Sequence, residues 1–407
     1  MAEKKENKII KVIITLIMIV LLGWSVYYIA IDTLKGPSVD GNKASKNNKE
    51  INEQLKRVEE VLKKIDSKYK GTEEIDLDKL GEGALRGIFA MIEDPYTRYL
   101  DKEDYKDSVT PSNEEYVGIG ITSTFSEEKQ KGYIISILPE SPASESGIWI
   151  GDALKKVGDL EVTSYDTYKE AMTILRGVEN TTVDVVLDRD GETITKSVTR
   201  RKVKENCLTA KTIEKNIGYI RIYSFDFNVA DKFKKEYNSF KEQGISKLVI
   251  DLRGNPGGIV DEAVEIADLF IPGNDVILET VYKDGSSKFK KAVDGKASDM
   301  KVTILTNENS ASASEILASA LKDYKVATIV GEKTYGKGIV QSYEGLRAGD
   351  GVSITVAEYF TKNRAVIHKN GIEPDIEVIA TKDEKKQIDM DVKKDSVLRR
   401  AIEELNK

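Results

Sequence analysis

Strand-like runs alternate with helical segments over residues 201–380, and this alternation restricts the possible folds more than any other feature. Four runs are short and β-rich: "IGYIRIYSF", "KLVIDLR", "KVTILTN" and "VATIVGE". Three segments between them have helical character: "NVADKFKKEYNSFKEQG", "IVDEAVEIADLFI" and "SEILASALKDY". Alternation of this kind predicts an α/β core with buried strands.

The bulk composition excludes several classes of function. Net charge is −7 with acidic and basic residues interspersed, so nucleic acid is not indicated as a partner. Cys207 is the only cysteine, which excludes an internal disulfide and a cysteine-rich metal site. No cluster of His, Cys or carboxylates has the spacing of metal ligands, so neither a metal nor another cofactor is expected.

An uncharged apolar run occupies residues 12–31, after a lysine-rich segment at residues 1–11. As a helix, its 20 residues would extend ~30 Å, the thickness of the hydrocarbon core of a bilayer. Aromatic residues lie near its outer end, and no clear signal-peptide cleavage site follows. We therefore expect a single uncleaved anchor, with residues 1–11 cytoplasmic and all later residues exported.

The segments around the α/β core differ in texture. Residues 32–50 are polar and read as a flexible linker, and residues 51–113 contain two stretches of helical spacing that suit packing or dimerisation. Residues 114–200 consist of short alternating strands with glycine and proline turns and one amphipathic helix, which predicts a small β-barrel. Residues 381–407 end in a predicted helix.

Three serines separated by alanines lead into a helix in "NSASASEILASALK". Ser312 would lie at the helix entrance, where free backbone N–H groups favour a developing oxyanion. Ser312 and Glu315 also match a capping box, and Ser310 or Ser314 could cap the helix as well. This segment alone leaves both readings open.

Two other segments could take part in the same chemistry. In "GEKTYGKGIVQ", Lys337 lies between two glycines, and a lysine acts as a general base only when burial depresses its pKa. In "VIDLRGNPGGIV", Gly257 and Gly258 could aim a backbone N–H at a substrate oxygen. Each segment by itself is more typical of a surface lysine or of an ordinary strand-to-helix turn.

In this order, the three segments resemble those of the C-terminal processing peptidases, also called tail-specific proteases. "EDPYTRYLDKED" is similar to the segment that precedes the PDZ domain in that family, and "ITVAEYFTKNRAVIHKNGIEPDIEV" also matches. The resemblance implies a ClpP/crotonase-like α/β protease core at 201–380 with an inserted PDZ β-barrel at 114–200. The chain would thus be a multidomain α/β protein with an N-terminal helical segment and one transmembrane helix.

The resemblance also implies roles for individual residues. Ser312 corresponds to the nucleophile, Lys337 to the general base and Gln341 to the residue that orients the lysine. The oxyanion donors would be the N–H of Ala313 and that of Gly257 or Gly258. His368 lies outside every matched catalytic motif and is read as non-catalytic.

In "YVGIGI", the resemblance implies the loop and strand that receive the C-terminus of a peptide, at Tyr116, Val117, Gly118, Ile119, Gly120 and Ile121. Arg176, at the end of the PDZ helix, would couple peptide occupancy to the active site, although it could equally be a charge that complements the helix dipole. The partners expected are proteins with accessible C-termini, the membrane and a second copy of the chain.

The predicted function is thus a serine endopeptidase with a Ser-Lys dyad in the cell membrane, with its catalytic domain outside the cytoplasm. Two other functions fit parts of the sequence. One is a membrane-anchored PDZ scaffold or sensor with an inactive protease-like domain. The other is crotonase-like acyl chemistry, which the PDZ insertion and the anchor disfavour.

Overall fold

The computed structural model describes residues 41–71, 75–110, 115–126, 128–204, 207–214, 216–293, 298–386 and 392–407. The apolar run at residues 12–31 lies outside these ranges. Within them, no helix combines the length and the apolar character needed to cross a membrane. The chain divides into two compact units, one ending at Gly81 and the other spanning Glu82–Lys407.

The first unit contains helix α1, Gly41–Lys68, which begins inside the segment predicted as a linker. Lysine and glutamate, which favour helical backbone, account for 11 of its 28 residues. Its apolar side chains Ile51, Leu55 and Val58 are exposed. Helix α2, Leu77–Ala90, follows in sequence and crosses the boundary between the units.

The region predicted as purely helical, residues 51–113, also holds strand β1 at Arg98–Leu100, followed by helix α3 at Lys102–Val109. Strand β1 pairs with a strand of the protease-like core near residue 352, so this segment belongs to the second unit. Its three residues are too few to give a periodicity that sequence reading could detect.

Residues 115–204 form a separate β-rich domain, here called the inserted domain. Its strands are β2 Glu115–Gly118, β3 Ile121–Ser126, β4 Lys131–Ile137, β5 Ala153–Val157, β6 Leu160–Glu161, β7 Thr182–Arg189, β8 Glu192–Thr199 and β9 Arg201–Lys204. Its helices are α4 Pro142–Ser146 and α5 Tyr165–Leu175. The main sheet has the order β3-β4-β5-β7-β8, so β3 is an edge strand, while β2 pairs with β9. A core of Ile, Leu and Val side chains fills this domain.

The remaining residues form the α/β domain, whose main sheet has six strands. They are β10 Leu208–Ile213, β11 Ile217–Ile222, β12 Lys247–Asp251, β15 Lys301–Thr306, β16 Ala327–Gly331 and β19 Ile376–Glu377, in that spatial order. Strands β11, β12, β15, β16 and β19 run parallel, and β10 is antiparallel to β11. The buried strands that the alternation predicts are therefore present, and the structure shows that they run parallel.

Helices cover both faces of this sheet. On one face lie α6 Val229–Glu242, α7 Val260–Asp268 and α8 Ala313–Asp323, packed over a large apolar core. On the other face lies α10 Ser396–Leu405, after the short α9 Lys382–Lys386. A second, antiparallel sheet consists of β1 with β13 Val276–Tyr282, β14 Ser287–Lys291, β17 Ile339–Gly345 and β18 Gly351–Phe360. Strands β17 and β18 follow the loop at residues 332–338, here called the lysine loop because it contains Lys337. This sheet is therefore connected directly to that loop.

Candidate active site

The three candidate segments meet because they follow three neighbouring parallel strands. Strand β12 ends at Asp251, β15 at Thr306 and β16 at Gly331, and β15 lies between the other two. The loops after parallel strands emerge at the same edge of a sheet, where α/β proteins place their ligands. Residues far apart in sequence are thereby brought to one edge.

Ser312 lies directly before helix α8, which starts at Ala313. Its backbone has φ 55° and ψ −116°, a conformation that residues with a side chain rarely adopt. Such strain is found at functional sites where surrounding contacts enforce it. The helix that follows is almost entirely buried, so the serine cannot relax without displacing the core.

The two flanking serines supply part of that enforcement. Ser310 Oγ donates a hydrogen bond to the carbonyl of Leu252 at 2.8 Å, and Ser314 Oγ donates to the carbonyl of Asn255 at 3.0 Å. Both flanking serines are buried. They hold the loop at residues 307–312, here called the serine loop, against the loop at residues 252–259, here called the glycine loop. The three serines thus have different surroundings, and only Ser312 lies between the two anchors.

The two glycines proposed as oxyanion donors differ in their backbone N–H groups. Gly257 N donates to Asn255 Oδ1 at 2.8 Å, so this N–H is already engaged. Within the described ranges, neither Gly258 N nor Ala313 N donates a hydrogen bond. A Cβ at Gly257 would lie 2.7 Å from the Cβ of Ser312, which places this loop directly against the serine.

Lys337 lies in the loop between β16 and β17 and is largely buried. Burial lowers the pKa of its ammonium group, and the positive charge of Arg98 lowers it further, while Asp94 and Glu315 act in the opposite direction. The net shift is downward, as a general base requires. Its Nζ lies 4.6 Å from the ring centroid of Tyr96, a distance at which an aromatic face attracts a cation. No hydrogen bond joins Ser312 Oγ to Lys337 Nζ in the described part of the chain.

Gln341 lies on β17, four residues after the lysine, and its Nε2 donates to Thr355 Oγ1 at 3.3 Å. Among the described residues, Gln341 makes no hydrogen bond to Lys337, so the orienting role remains a prediction. The backbone of His368 approaches the lysine loop closely, since a Cβ at Gly338 would lie 2.5 Å from His368 N. Within the described chain, His368 has no hydrogen bond to Ser312 or Lys337.

Glu315 contributes more than the cap that its spacing predicts. Its carboxylate accepts hydrogen bonds from Ser312 N at 2.9 Å and from Lys337 N at 2.8 Å. It also accepts from Thr334 Oγ1 at 2.6 Å and from Gly336 N at 2.8 Å. Burial raises the pKa of Glu315 despite these four donors. The capping-box spacing indicated only the bond to Ser312, because the other three partners come from a distant loop.

Two further residues of the site, Tyr96 and Arg98, come from the segment before the inserted domain. Arg98 Nη1 donates to Tyr165 Oη on helix α5 at 2.7 Å, and Lys169 on the same helix pairs with Asp104 at 2.7 Å. The segment therefore touches both the lysine and the helix of the inserted domain. Sequence reading had matched "EDPYTRYLDKED" to a family segment but gave these residues no role.

In the inserted domain, the stretch from Tyr116 to Ile121 runs from strand β2 into edge strand β3, with φ +81° at Gly120. Arg176 is exposed at the end of α5, and its guanidinium lies 5.3 Å from the ring centroid of Tyr116, inside the same domain. The domain reaches the glycine loop through β4, since a Cβ at Gly254 would lie 2.5 Å from the carbonyl oxygen of Ile135. In the ranges described, no hydrogen bond or ion pair links Arg176 to the α/β domain.

A hydroxyl at a helix entrance, the unengaged N–H of the next residue, a glycine loop packed against the serine and a largely buried amine on a neighbouring loop form an arrangement suited to acyl transfer. Over the described ranges, no group of three or more His, Cys, Asp or Glu residues could hold a metal ion.

Comparison with known proteins gives consistent matches. Residues 216–378 match the model of "Peptidase family S41", and residues 20–104 match "Activating protease CtpB N-terminal domain". A "Probable CtpA-like serine protease" of Staphylococcus haemolyticus is 31% identical over 92% of this chain and 75% of its own length. The "Carboxy-terminal processing protease CtpA" of Bacillus subtilis is 32% identical over 79% of this chain and 68% of its own length.

Among solved structures, the photosystem II D1 C-terminal processing protease is similar, with a TM-score of 0.65 and 27% identity. The match covers 82% of this chain and 89% of that one. The matches to the staphylococcal and Bacillus relatives extend over most of each protein. The chain therefore belongs to peptidase family S41 and is a serine peptidase.

Proposed function

We propose that the chain is a carboxyl-terminal processing endopeptidase that cleaves through an acyl-enzyme on Ser312, with Lys337 as general base. The observation that carries the proposal is the position of Ser312, strained at the entrance of α8, next to the unengaged N–H of Ala313 and packed against the glycine loop. The similar proteins from Bacillus subtilis and photosystem II processing are both C-terminal processing proteases, which favours the same class of substrate.

The reaction begins when neutral Lys337 takes the proton of Ser312 Oγ as this oxygen attacks a peptide carbonyl. The negative charge that develops on the carbonyl oxygen is stabilised by Ala313 N–H and Gly258 N–H. We assign the second donor to Gly258 because Gly257 N–H is occupied by Asn255. The protonated lysine then gives its proton to the leaving amine, and water hydrolyses the acyl-enzyme with the lysine again as base.

To act in this way, Lys337 must turn its amine from the ring of Tyr96 towards Ser312. The ring stabilises the charged amine, whereas burial and Arg98 favour the neutral one. We propose that the conformation described here is a resting one, in which the base is held close to the serine but not on it. Gln341 would then orient the amine in the active conformation.

The inserted domain is proposed to be a PDZ domain that binds the carboxyl end of a protein substrate. Its edge strand β3 has an unpaired side to which an extended peptide can add, next to the glycine-containing turn at residues 118–120. The C-terminus would be received by the loop and strand at Tyr116, Val117, Gly118, Ile119, Gly120 and Ile121, with the terminal carboxylate held by backbone N–H groups of the loop. Arg176 keeps its proposed role in coupling occupancy of this groove to the active site.

The membrane location and the oligomeric state are also proposals. The apolar run at residues 12–31 supports an anchor with the catalytic domain outside the cytoplasm. The exposed side chains of Ile51, Leu55 and Val58 on α1 support pairing with a second copy.

Cleavage of an unstructured protein such as casein tests the assignment. Ser312→Ala and Lys337→Ala should each abolish cleavage, with circular dichroism unchanged. Two matched variants should retain it: Ser239→Ala, on the outer helix α6, and Lys333→Ala, whose amine pairs with Glu373 at the surface. Retained cleavage by either active-site variant would overturn the dyad. Absence of cleavage by the unaltered chain, with a C-terminal peptide still bound, would instead favour the scaffold reading.

A further inference from the structure

Two buried side chains hold the main chain of both proposed dyad residues. Ser312 and Lys337 are 25 positions apart and lie on different loops. The N–H groups of both residues donate to the carboxylate of Glu315, and the carbonyls of both lie within hydrogen-bond reach of the hydroxyl of Tyr359. Each side chain therefore connects the two loops directly.

Glu315 and Tyr359 reach the dyad from different elements. Glu315 is on the first turn of α8 and is 0% exposed, so its orientation is fixed by the helix that also fixes Ser312. Tyr359 is near the end of strand β18 and is 1% exposed. Its own N–H donates to the carbonyl of Gly338 at 3.1 Å, which fastens the strand to the residue after the lysine.

The Tyr359 hydroxyl lies 3.2 Å from the carbonyl oxygen of Ser312 and is also hydrogen-bonded to the carbonyl of Lys337. A phenol has one proton to donate, so a single hydroxyl serves two acceptors that belong to the two dyad residues. Burial raises the pKa of this hydroxyl, which therefore stays protonated. Because Tyr359 is 1% exposed and its hydroxyl bonds to backbone carbonyls, this side chain is not placed to contact a substrate.

We propose that Tyr359, together with Glu315, is a positioning residue that sets the separation between the nucleophile and its general base. This inference rests on the proposed roles of Ser312 and Lys337. A lysine side chain has four rotatable bonds, so its amine finds the serine reproducibly only if both backbones are fixed. Misplacement of a reacting group by about 1 Å can reduce a rate roughly 100-fold.

Tyr359→Phe tests this role because it removes only the hydroxyl. We expect kcat to fall roughly tenfold or more while KM for a peptide substrate stays within about twofold, since the substrate does not touch this group. The acidic limb of the kcat/KM profile should move to higher pH, because a loosened loop exposes Lys337 to water. The measured activity is normalised to the amount of folded protein, which circular dichroism gives.

Tyr324→Phe is the matched control. Tyr324 Oη also donates to a backbone carbonyl, that of Val276 at 3.0 Å, but outside the site. This variant should keep the parental kcat and pH profile. A Tyr359→Phe enzyme that behaves like Tyr324→Phe would overturn the inference.

Glu315→Gln provides a second variant. Both carboxylate oxygens accept from N–H donors, so the amide nitrogen of glutamine must face a donor in either orientation. We expect a larger loss of kcat than in Tyr359→Phe, again with little change in KM. If Ser312→Ala still cleaves, the proposed function itself fails. If Ser312→Ala is inactive while both positioning variants match the control, only the positioning role fails.

Discussion

The residues around Lys337 shift the pKa of its amine in opposite directions. Burial and Arg98 favour its neutral form, whereas Asp94, Glu315 and the face of Tyr96 favour the charged form. Only the neutral form can accept a proton, so kcat/KM should rise with pH through the pKa of Lys337. Because that pKa lies below its usual value of 10.5, the rise should occur at lower pH than for an exposed lysine.

Arg98→Gln tests which charge tunes the base. Removal of the positive charge should raise the pKa of Lys337, so less neutral amine is present at a given pH. The acidic limb of the kcat/KM profile should move to higher pH, and activity at neutral pH should fall and recover on addition of base. A pH series with a peptide substrate measures this shift.

Arg86→Gln is the control for charge alone. Arg86 pairs with Asp101 in the same region, as Arg98 pairs with Asp104, but it is not among the charges that act on Lys337. Its profile should coincide with that of the unaltered chain. Equal profiles for Arg98→Gln and the unaltered chain would exclude Arg98 as a tuning residue.

At the level of single residues, the sequence could indicate candidates but not their surroundings. Ser312 and Lys337 were predicted from motif order, and the structure brings their loops to one sheet edge. The contacts of Tyr96 and Tyr359 with Lys337 could not be predicted, because they form only in the folded chain, between segments that lie on separate elements. Nothing in local spacing records such contacts.

Among the elements, the glycine loop after β12 is the one most closely fitted to the serine. Gly257 has φ +102°, and a Cβ there would lie 2.7 Å from Ser312 Cβ and 2.9 Å from Ala313 N. A side chain would therefore push against the proposed nucleophile and a proposed oxyanion donor at once. Sequence reading predicted the loop but could not choose between its two glycines, since the choice depends on the contact with Asn255.

Gly257→Ala should abolish most activity, whereas Gly285→Ala should not. Gly285 has φ +81°, so both alanines have an unfavourable backbone, at about 1–2 kcal/mol each. A Cβ at Gly285, however, meets nothing within 4 Å. Melting temperatures and kcat together separate the two effects. A Gly257→Ala enzyme with unimpaired kcat would contradict the close fit between loop and serine.

On the scale of the whole molecule, one arginine connects the C-terminal helix to the catalytic edge. Arg253 is 6% exposed, and its guanidinium donates two hydrogen bonds to the carboxylate of Asp395, at 3.0 and 2.7 Å. It also donates to the carboxylate of Asp251. Asp395 caps α10, and Arg253 begins the glycine loop. Burial would raise the pKa of Asp251, but Arg253 outweighs it, and the net pKa is lowered. The stability that Asp251 contributes is therefore present above its unfolded pKa and is lost as pH falls through the folded one.

Asp395→Asn should lower the free energy of unfolding by about 2–4 kcal/mol, because it leaves part of a buried guanidinium charge uncompensated. Urea denaturation followed by circular dichroism measures the change. Glu404→Gln, on the same helix but at the surface, removes a partner of Arg400 and should change stability little. Similar midpoints for the two variants would show that the buried pair is not a stabilising one.

The α/β alternation predicted four strands of the central sheet, β11, β12, β15 and β16, since these are apolar enough to read directly, but not β10 or the two-residue β19. The segments that connect domains were harder to predict. Strand β1 is three residues long, and its partner lies more than 250 positions away. Helix α1 begins at Gly41, within a polar stretch that composition alone assigned to a linker.

The backbone at Ser312 has one more consequence. At φ 55° and ψ −116°, glycine is the residue that fits this position without penalty, and any side chain adds strain. The hydroxyl that the proposed mechanism requires is therefore present at the expense of the free energy of unfolding. Replacement by glycine would relieve this strain, which replacement by alanine would retain. An inactive variant made to capture substrates should for this reason have a higher free energy of unfolding with Ser312→Gly than with Ser312→Ala.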